Sequence, residues 1–254
     1  MISIKTPREI ELCGAAAGIV ANVLELMGEM AQPGVTTAEM DAEAEAMARK
    51  LGGEPLWKGY RGYPAMICTS INEQVVHGIP GPRELRDGDI VSVDVGVRYK
   101  GYCGDAARTL PVGKAAPEAL KLLKVTEDSL MVAVAAAVPG GRLSDVSHAI
   151  QTVAEGAGFS VVRDYVGPGI GSAMHEEPQI PNFGPPGAGP KLRPGMVLAI
   201  EPMINAGGWQ VRLLDDGWTV VTADGSLSAH FEHEIAITED GPKVLSVVDG
   251  ATEV

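Results

Sequence analysis

Leu85-Arg-Asp-Gly-Asp-Ile-Val-Ser-Val-Asp94-Val95 recurs 107 residues further on as Leu192-Arg-Pro-Gly-Met-Val-Leu-Ala-Ile-Glu201-Pro202. Each copy is a turn followed by an apolar strand that closes on one carboxylate, so Asp94 and Glu201 hold the same repeat position. Working outward, Ala31-Gln-Pro-Gly34 and Ala137-Val-Pro-Gly140 lie 106 residues apart, and each separates two helical patterns. A repeat of this length fixes the architecture before any single element is argued.

In the first half, Thr6-Pro7-Arg8-Glu9 reads as a capping box with proline at the first helical position, opening an amphipathic helix that runs to about Met30. Thr36-Thr37-Ala38-Glu39 opens a second helix, which stops at Gly52-Gly53. In the second half, Pro117 to Val138 and Ser144 to about Ala154 repeat the pair, ended by Gly156 and Gly158, and strand-like runs follow. The expected plan is αα-βββ, twice. It predicts an α+β fold with a pseudo-twofold axis and a mainly antiparallel sheet covered by helices, in one domain over 1–254 with halves at about 1–112 and 113–254.

Composition narrows the function. The chain of 254 residues carries a net charge of −13 and only 11 aromatic residues (Trp 3, Tyr 5, Phe 3), a poor endowment for phosphate backbones, base stacking or anionic membranes. No nucleic-acid or membrane partner is expected. The longest uninterrupted apolar run, Leu130 to Val138, is too short to span a bilayer. Cys13, Cys68 and Cys103 are odd in number and show no C-x-x-C spacing, which suits a reducing, cytoplasmic setting. Cys68 has no assignable histidine partner and reads as a small buried thiol.

Excess carboxylate can instead hold cations. Asp94 ends one strand, and the chain returns through Gly104-Asp105 after a turn near Tyr99-Lys100-Gly101. Either turn centre, Tyr99-Lys100 or Lys100-Gly101, puts Asp94 and Asp105 on one face, directly opposite or diagonal. Glu201 and Glu232 sit in comparable settings in the second half, with Glu234 a weaker candidate on the face of Glu232. Four converging carboxylates suit Mn²⁺, Fe²⁺, Co²⁺ or Mg²⁺, and two ions sharing them would generate a hydrolytic nucleophile.

Several ordered motifs carry a resemblance that spans essentially the whole chain. They are Gly59-Tyr60-Arg-Gly-Tyr63-Pro, Ser70-Ile-Asn-Glu-Gln-Val-Val-His77-Gly-Ile-Pro, Asp87 to Asp94, Gly104-Asp105, His175-Glu-Glu-Pro, Ile200-Glu201-Pro, Asp216-Gly-Trp218-Thr-Val-Val-Thr and Ser228-Ala-His-Phe-Glu232-His. Together they resemble the type I methionine aminopeptidases of the pita-bread fold. The resemblance implies a metal-dependent hydrolase that removes the N-terminal methionine of new polypeptides, working as a monomer with two divalent metal ions, Mn, Fe or Co. It assigns Asp94, Asp105, Glu201 and Glu232 to the metals, with Glu201 also moving a proton. His77 and His175 would contact substrate and the tetrahedral oxygen. Tyr60, Tyr63 and Trp218 would line the methionine pocket, with Trp57 and Met174 at positions where relatives commonly carry Cys and Phe.

One motif departs. Where such proteins read Gly-His-Gly-Ile-Gly seven residues before His-Glu-Glu-Pro, this chain reads Gly167-Pro168-Gly169-Ile170-Gly171. Proline offers no donor to a metal, so one site would keep Asp105, Glu201, Glu232 and water, with weaker affinity and a tilt toward harder ions. Among the other histidines, His148 falls in a helix, His233 matches a supporting position of the family, and His230, of opposite strand parity to His233, is no obvious substitute. The alternative function is a pita-bread homologue with impaired or lost peptidase activity, repurposed for other metal chemistry or for binding. The glycine-rich run does not fit a phosphate loop, because it lacks the strand-to-helix setting.

Overall fold

The computed structural model describes residues 1–248; the last six residues of the expected 1–254 domain lie outside the described residues. Four long helices stand where the repeat places them: α1 Pro7–Met30, α2 Thr37–Lys50, α3 Pro117–Ala136 and α4 Leu143–Gly156. Both threonine caps form as capping boxes, Thr6 with Glu9 and Thr36 with Glu39, so two backbone donors at each helix start are satisfied locally. Helix α3 ends at Ala136 rather than Val138, since Val138 precedes Pro139 and is driven out of helical geometry.

The first half is organised by one long hairpin, Ile90–Tyr99 paired with Tyr102–Pro111. Its turn is Lys100-Gly101, both with positive φ (48° and 86°), the twist that matches two right-handed strands. Register places Asp94 opposite Ala107 and Asp105 opposite Gly96, so the two carboxylates are diagonal neighbours on one face. Val91, Val93, Val95 and Val97 occupy the other face and pack with Val20 and Leu24 of α1 and Met40 and Ala44 of α2. Strand alternation thus puts a wholly apolar layer under the helices and sends Ser92 and Asp94 to the opposite side.

The second half is more broken. Val197–Ile200 pairs with His233–Thr238, which pairs in turn with Gly241–Val244, while Gly167–Gly169 joins on the other side and carries Glu176–Ile180 beyond it. After Glu201 and Pro202 the chain moves to a different set, in which Met203–Asn205 pairs with Ser228–His230. Leu122 and Leu130 of α3 and Val146 and Ile150 of α4 close over Leu198, Ile200 and Ile235. The described strand pairings are antiparallel and fall into four hydrogen-bonded sets. The two halves join where the Glu232 amide donates to the Ala107 carbonyl at 2.8 Å, an isolated bridge that brings the fourth acid beside the first-half hairpin.

Helix α1 reaches a mean hydropathy of 1.6 over 18 residues. Its apolar side is the face that covers the hairpin, with Cys13, Ala17, Val20, Val23 and Leu24 buried, and that packing accounts for the composition.

Candidate metal centre

Asp94, Asp105 and Glu201 line one cavity of about 120 Å³ between the halves, and Glu232 stands buried within ligand distance of all three. Their ligand atoms form two groups, each with all members within 4.8 Å of one another: Asp94, Asp105 and Glu232 in one, Glu201, His230 and Glu232 in the other. Glu232 belongs to both. A carboxylate shared between two donor groups is the arrangement that a pair of adjacent cations requires.

The electrostatics demand a cation too. Burial pushes the Asp94 carboxyl up to about 7, although the Trp57 indole N–H donates to its Oδ1 at 3.2 Å and pulls the other way. Asp105 is raised well above the usual carboxylate range, first by burial and then by Glu232, Asp94 and Glu201. Glu201 and Glu232 are raised for the same reasons. Four acids that repel one another in a dry space cost stability unless protonated or matched by positive charge. Asp105 Oδ1, Glu232 Oε1 and His230 Nε2 are buried without a hydrogen-bond partner among the described residues, as ligands to a cation would be. The donor set, mostly hard oxygen with one imidazole, fits divalent first-row metals.

Glu234 lies outside both groups. Its Oε2 accepts the Asp105 amide at 3.2 Å, which braces the strand that bears Asp105. Lys5 lies close enough to offset part of its burial cost.

An aromatic wall borders the acids. Trp57 is buried, with its ring edge-on to Tyr60 at 6.2 Å and Tyr63 at 6.0 Å, while Tyr63 packs edge-on to Trp218 at 5.0 Å. Met174 is buried in the same cluster. The Tyr63 hydroxyl donates within the fold, to the carbonyls of Ile67 and Gly78, and the residue is buried behind the cavity wall, which Trp57 lines in place of Tyr60, Tyr63, Trp218 and Met174. His77 follows the strand Gln74–Val76 with φ of 60°, an uncommon conformation for a side chain beyond glycine, and it lines the same cavity as Asp94, Asp105 and Glu201. Burial and nearby His175 lower its pKa to about 4, leaving a neutral imidazole. His175 lies at the exposed rim, its Nδ1 3.1 Å from the Tyr60 hydroxyl.

Pro168 lines the cavity together with Asp94, Asp105 and Glu201. The glycines flanking it admit no side chain: a Cβ at Gly167 would sit 2.3 Å from the Ala199 carbonyl oxygen, and one at Gly169 would sit 2.4 Å from that of Glu177. This strand is therefore clamped between its neighbours.

Sequence reasoning passed over two polar residues of the cavity wall, besides the apolar Val76, Val166 and Met203. Tyr165 lines the cavity and packs edge-on to His77 at 5.8 Å; no motif pointed to it. His230 also belongs: it ends the strand Ser228–His230, two residues before Glu232 in the break that follows, so both reach the same ligand group. Comparison with His233 misled, because the strand Ser228–His230 ends before His233–Thr238 begins in another set. His233 pairs through Nδ1 with Ser246 at 2.8 Å, and His148 lies on α4 with Nδ1 3.2 Å from the Gly184 carbonyl oxygen. Cys68 is buried, and burial with the nearby Asp94 carboxylate keeps its thiol protonated.

Comparison with known proteins places the same features in a wider set. Metallopeptidase family M24 matches residues 11–239. Methionine aminopeptidase 1 of Bacillus subtilis is 54% identical over 248 residues, covering 98% of this chain and 100% of its own. The crystal structure of methionine aminopeptidase from Thermotoga maritima superposes with a TM-score of 0.96 at 49% identity, over 97% of this chain and 100% of that one. Prolidase from Pyrococcus furiosus shares the fold at a TM-score of 0.77 and 24% identity, over 99% of this chain and 66% of that one.

Proposed function

Since the chain belongs to metallopeptidase family M24, we propose that the cavity between its halves is the active site of a methionine aminopeptidase acting on the N-termini of new polypeptides. One observation carries the reading: Asp94, Asp105 and Glu201 converge on the shared Glu232 beside a cluster of aromatic side chains. The fold is the α+β pita-bread type, and the chain works as one domain of two halves, monomeric and cytoplasmic.

Asp94, Asp105, Glu201 and Glu232 would hold two divalent ions, Mn, Fe or Co. When bound, such a pair supplies Lewis acidity and an activated water for hydrolysis. The chain's own groups do the remaining work. Glu201, at the edge of the acid cluster, would accept a proton from the attacking water and deliver it to the departing amine. His77, neutral and half-buried, and His175 at the rim hydrogen-bond the substrate carbonyl and steady the charge that develops on its oxygen. The methionine side chain would lie against the cluster of Tyr60, Tyr63, Trp218, Trp57 and Met174, of which Trp57 lines the cavity, where apolar burial excludes water. Trp57 also fixes Asp94 through its indole N–H, so it joins the pocket to the metal ligands.

Release of free methionine from a Met-Ala-Ser peptide tests the reading, with metal-stripped protein supplied separately with Mn²⁺, Fe²⁺, Co²⁺ and Zn²⁺. Turnover with Mn²⁺ or Co²⁺ is expected. A folded chain that releases no methionine with any ion would mean that the site has been repurposed, the reading that Pro168 favours.

A further inference from the structure

We propose that His230 Nε2 is a metal ligand, completing the cation position formed by Glu201 and Glu232 and supplying the imidazole that Pro168 cannot. This rests on reading the cavity as a metal centre.

His230 is 2% exposed, and its Nε2 has no hydrogen-bond partner among the described residues. The ligand atoms of Glu201, His230 and Glu232 lie within 4.8 Å of one another. Nitrogen and oxygen donors each ~2.1 Å from one ion stand at most ~4.2 Å apart, so the trio closes on a metal with side-chain shifts of a few tenths of an ångström. The main chain at His230 is held firmly enough to make the ring a dependable ligand. Its amide donates to Thr109 Oγ1 at 2.8 Å, the Thr109 hydroxyl donates back to its carbonyl at 2.8 Å, and Ser92 Oγ lies 2.8 Å from the same hydroxyl. Thr109 and Ser92 belong to the hairpin that carries Asp105 and Asp94, so the imidazole is indexed to the first-half acids as well as to its own strand.

Pro168 and His230 line the same cavity from different strands, Gly167–Gly169 and Ser228–His230. The clamped Gly-Pro-Gly segment contributes a ring without a donor, while Ser228–His230 contributes a buried nitrogen without a partner among the described residues. The centre therefore keeps one nitrogen ligand, relocated. The selectivity expected from Pro168 alone reverses: an imidazole beside carboxylates favours Co²⁺, Fe²⁺ and Zn²⁺ over Mn²⁺ and Mg²⁺.

Nitrogen NMR of the unaltered chain, with ¹⁵N-labelled histidine and titrated with Zn²⁺ alone, reads the bond directly. His230 Nε2 is expected to move to the metal-bound range at stoichiometric Zn²⁺, while His148 stays unchanged. In parallel, calorimetry with Co²⁺ on His230→Gln is expected to show one of two binding events weakened by about 10–100-fold or more. An unmoved Nε2 signal at saturating Zn²⁺ would overturn the proposal, and so would two unchanged Co²⁺ events in the variant. A chain that binds Zn²⁺ through His230 yet releases no methionine keeps this assignment and rejects the peptidase reading; methionine release with an unmoved Nε2 does the reverse.

Discussion

The two copies of the turn-strand-acid repeat end differently, and the difference explains the site. In the first copy Val95 follows Asp94, and the strand runs on to Tyr99 as half of an unbroken hairpin. In the second copy Pro202 follows Glu201; proline cannot donate to a ladder, so the strand stops at Ile200 and the chain moves to another set. Asp94 and Asp105 are thus mid-strand residues presented by regular alternation. Glu201 and Glu232 sit in the breaks between strands, Glu232 between Ser228–His230 and His233–Thr238. One half supplies a rigid pair of acids, and the other supplies acids at junctions where further side chains can enter, His230 among them.

Removing the group common to both halves gives the largest expected effect. Glu232→Ala should abolish binding of both cations and lower methionine release by roughly 10³–10⁴-fold, as for removal of a central catalytic group, measured by metal content and product release. Wild-type metal content in that variant would break the comparison. Asp94→Asn touches only the group of Asp94, Asp105 and Glu232, so metal stoichiometry should fall from two to one while the group of Glu201, His230 and Glu232 still loads.

The next effect is on pH. In the folded metal-free chain the Asp94 carboxyl lies near 7, above its ordinary 3.8, so its contribution to stability is present below about 4 and is lost as pH rises through 7. Histidines with lowered values work in the opposite sense: His77 near 4 and His230 near 3, from an ordinary 6.5, contribute above 6.5 and lose that contribution as pH falls toward 4. Bound cations replace the protons on the acids, so the rise in Tm on adding Co²⁺ should grow from pH 5.5 to pH 8. A rise independent of pH would show that the acids do not bind the metal. Trp57→Phe sharpens this test: without the indole donor, the pH midpoint of metal loading should move up by roughly one unit, since a hydrogen bond to a charged group is worth ~1.5–3 kcal/mol before relaxation. The smallest effect belongs to the hairpin turn. Lys100 holds φ of 48° beside Gly101, and Lys100→Asn should raise stability by about 0.5 kcal/mol in urea unfolding, leaving the site unchanged.

Much of this was legible in the chain because local chemistry and tertiary structure agree. Thr6 and Thr36 cap the helices their motifs announce, and the repeat offset located the strands that end at Asp94 and Glu201. The acid pairing on the hairpin was readable to within one choice of turn; the Lys100-Gly101 turn made the pair diagonal. What escaped depends on breaks in regular structure. Parity assigns faces only within one continuous strand, and the change of set between His230 and His233 hid the imidazole beside Glu232. Tyr165 reaches the cavity from an irregular segment, where no period exists to read. Trp57 can be placed at the pocket by motif, but its bond to Asp94 depends on a tertiary approach across 37 residues.

Equilibrium dialysis of the metal-stripped, unaltered chain against Co²⁺ tests the central claim, a two-cation centre built jointly by the halves around Glu232. Two equivalents bound per folded chain are predicted. A single equivalent, or none, would contradict it.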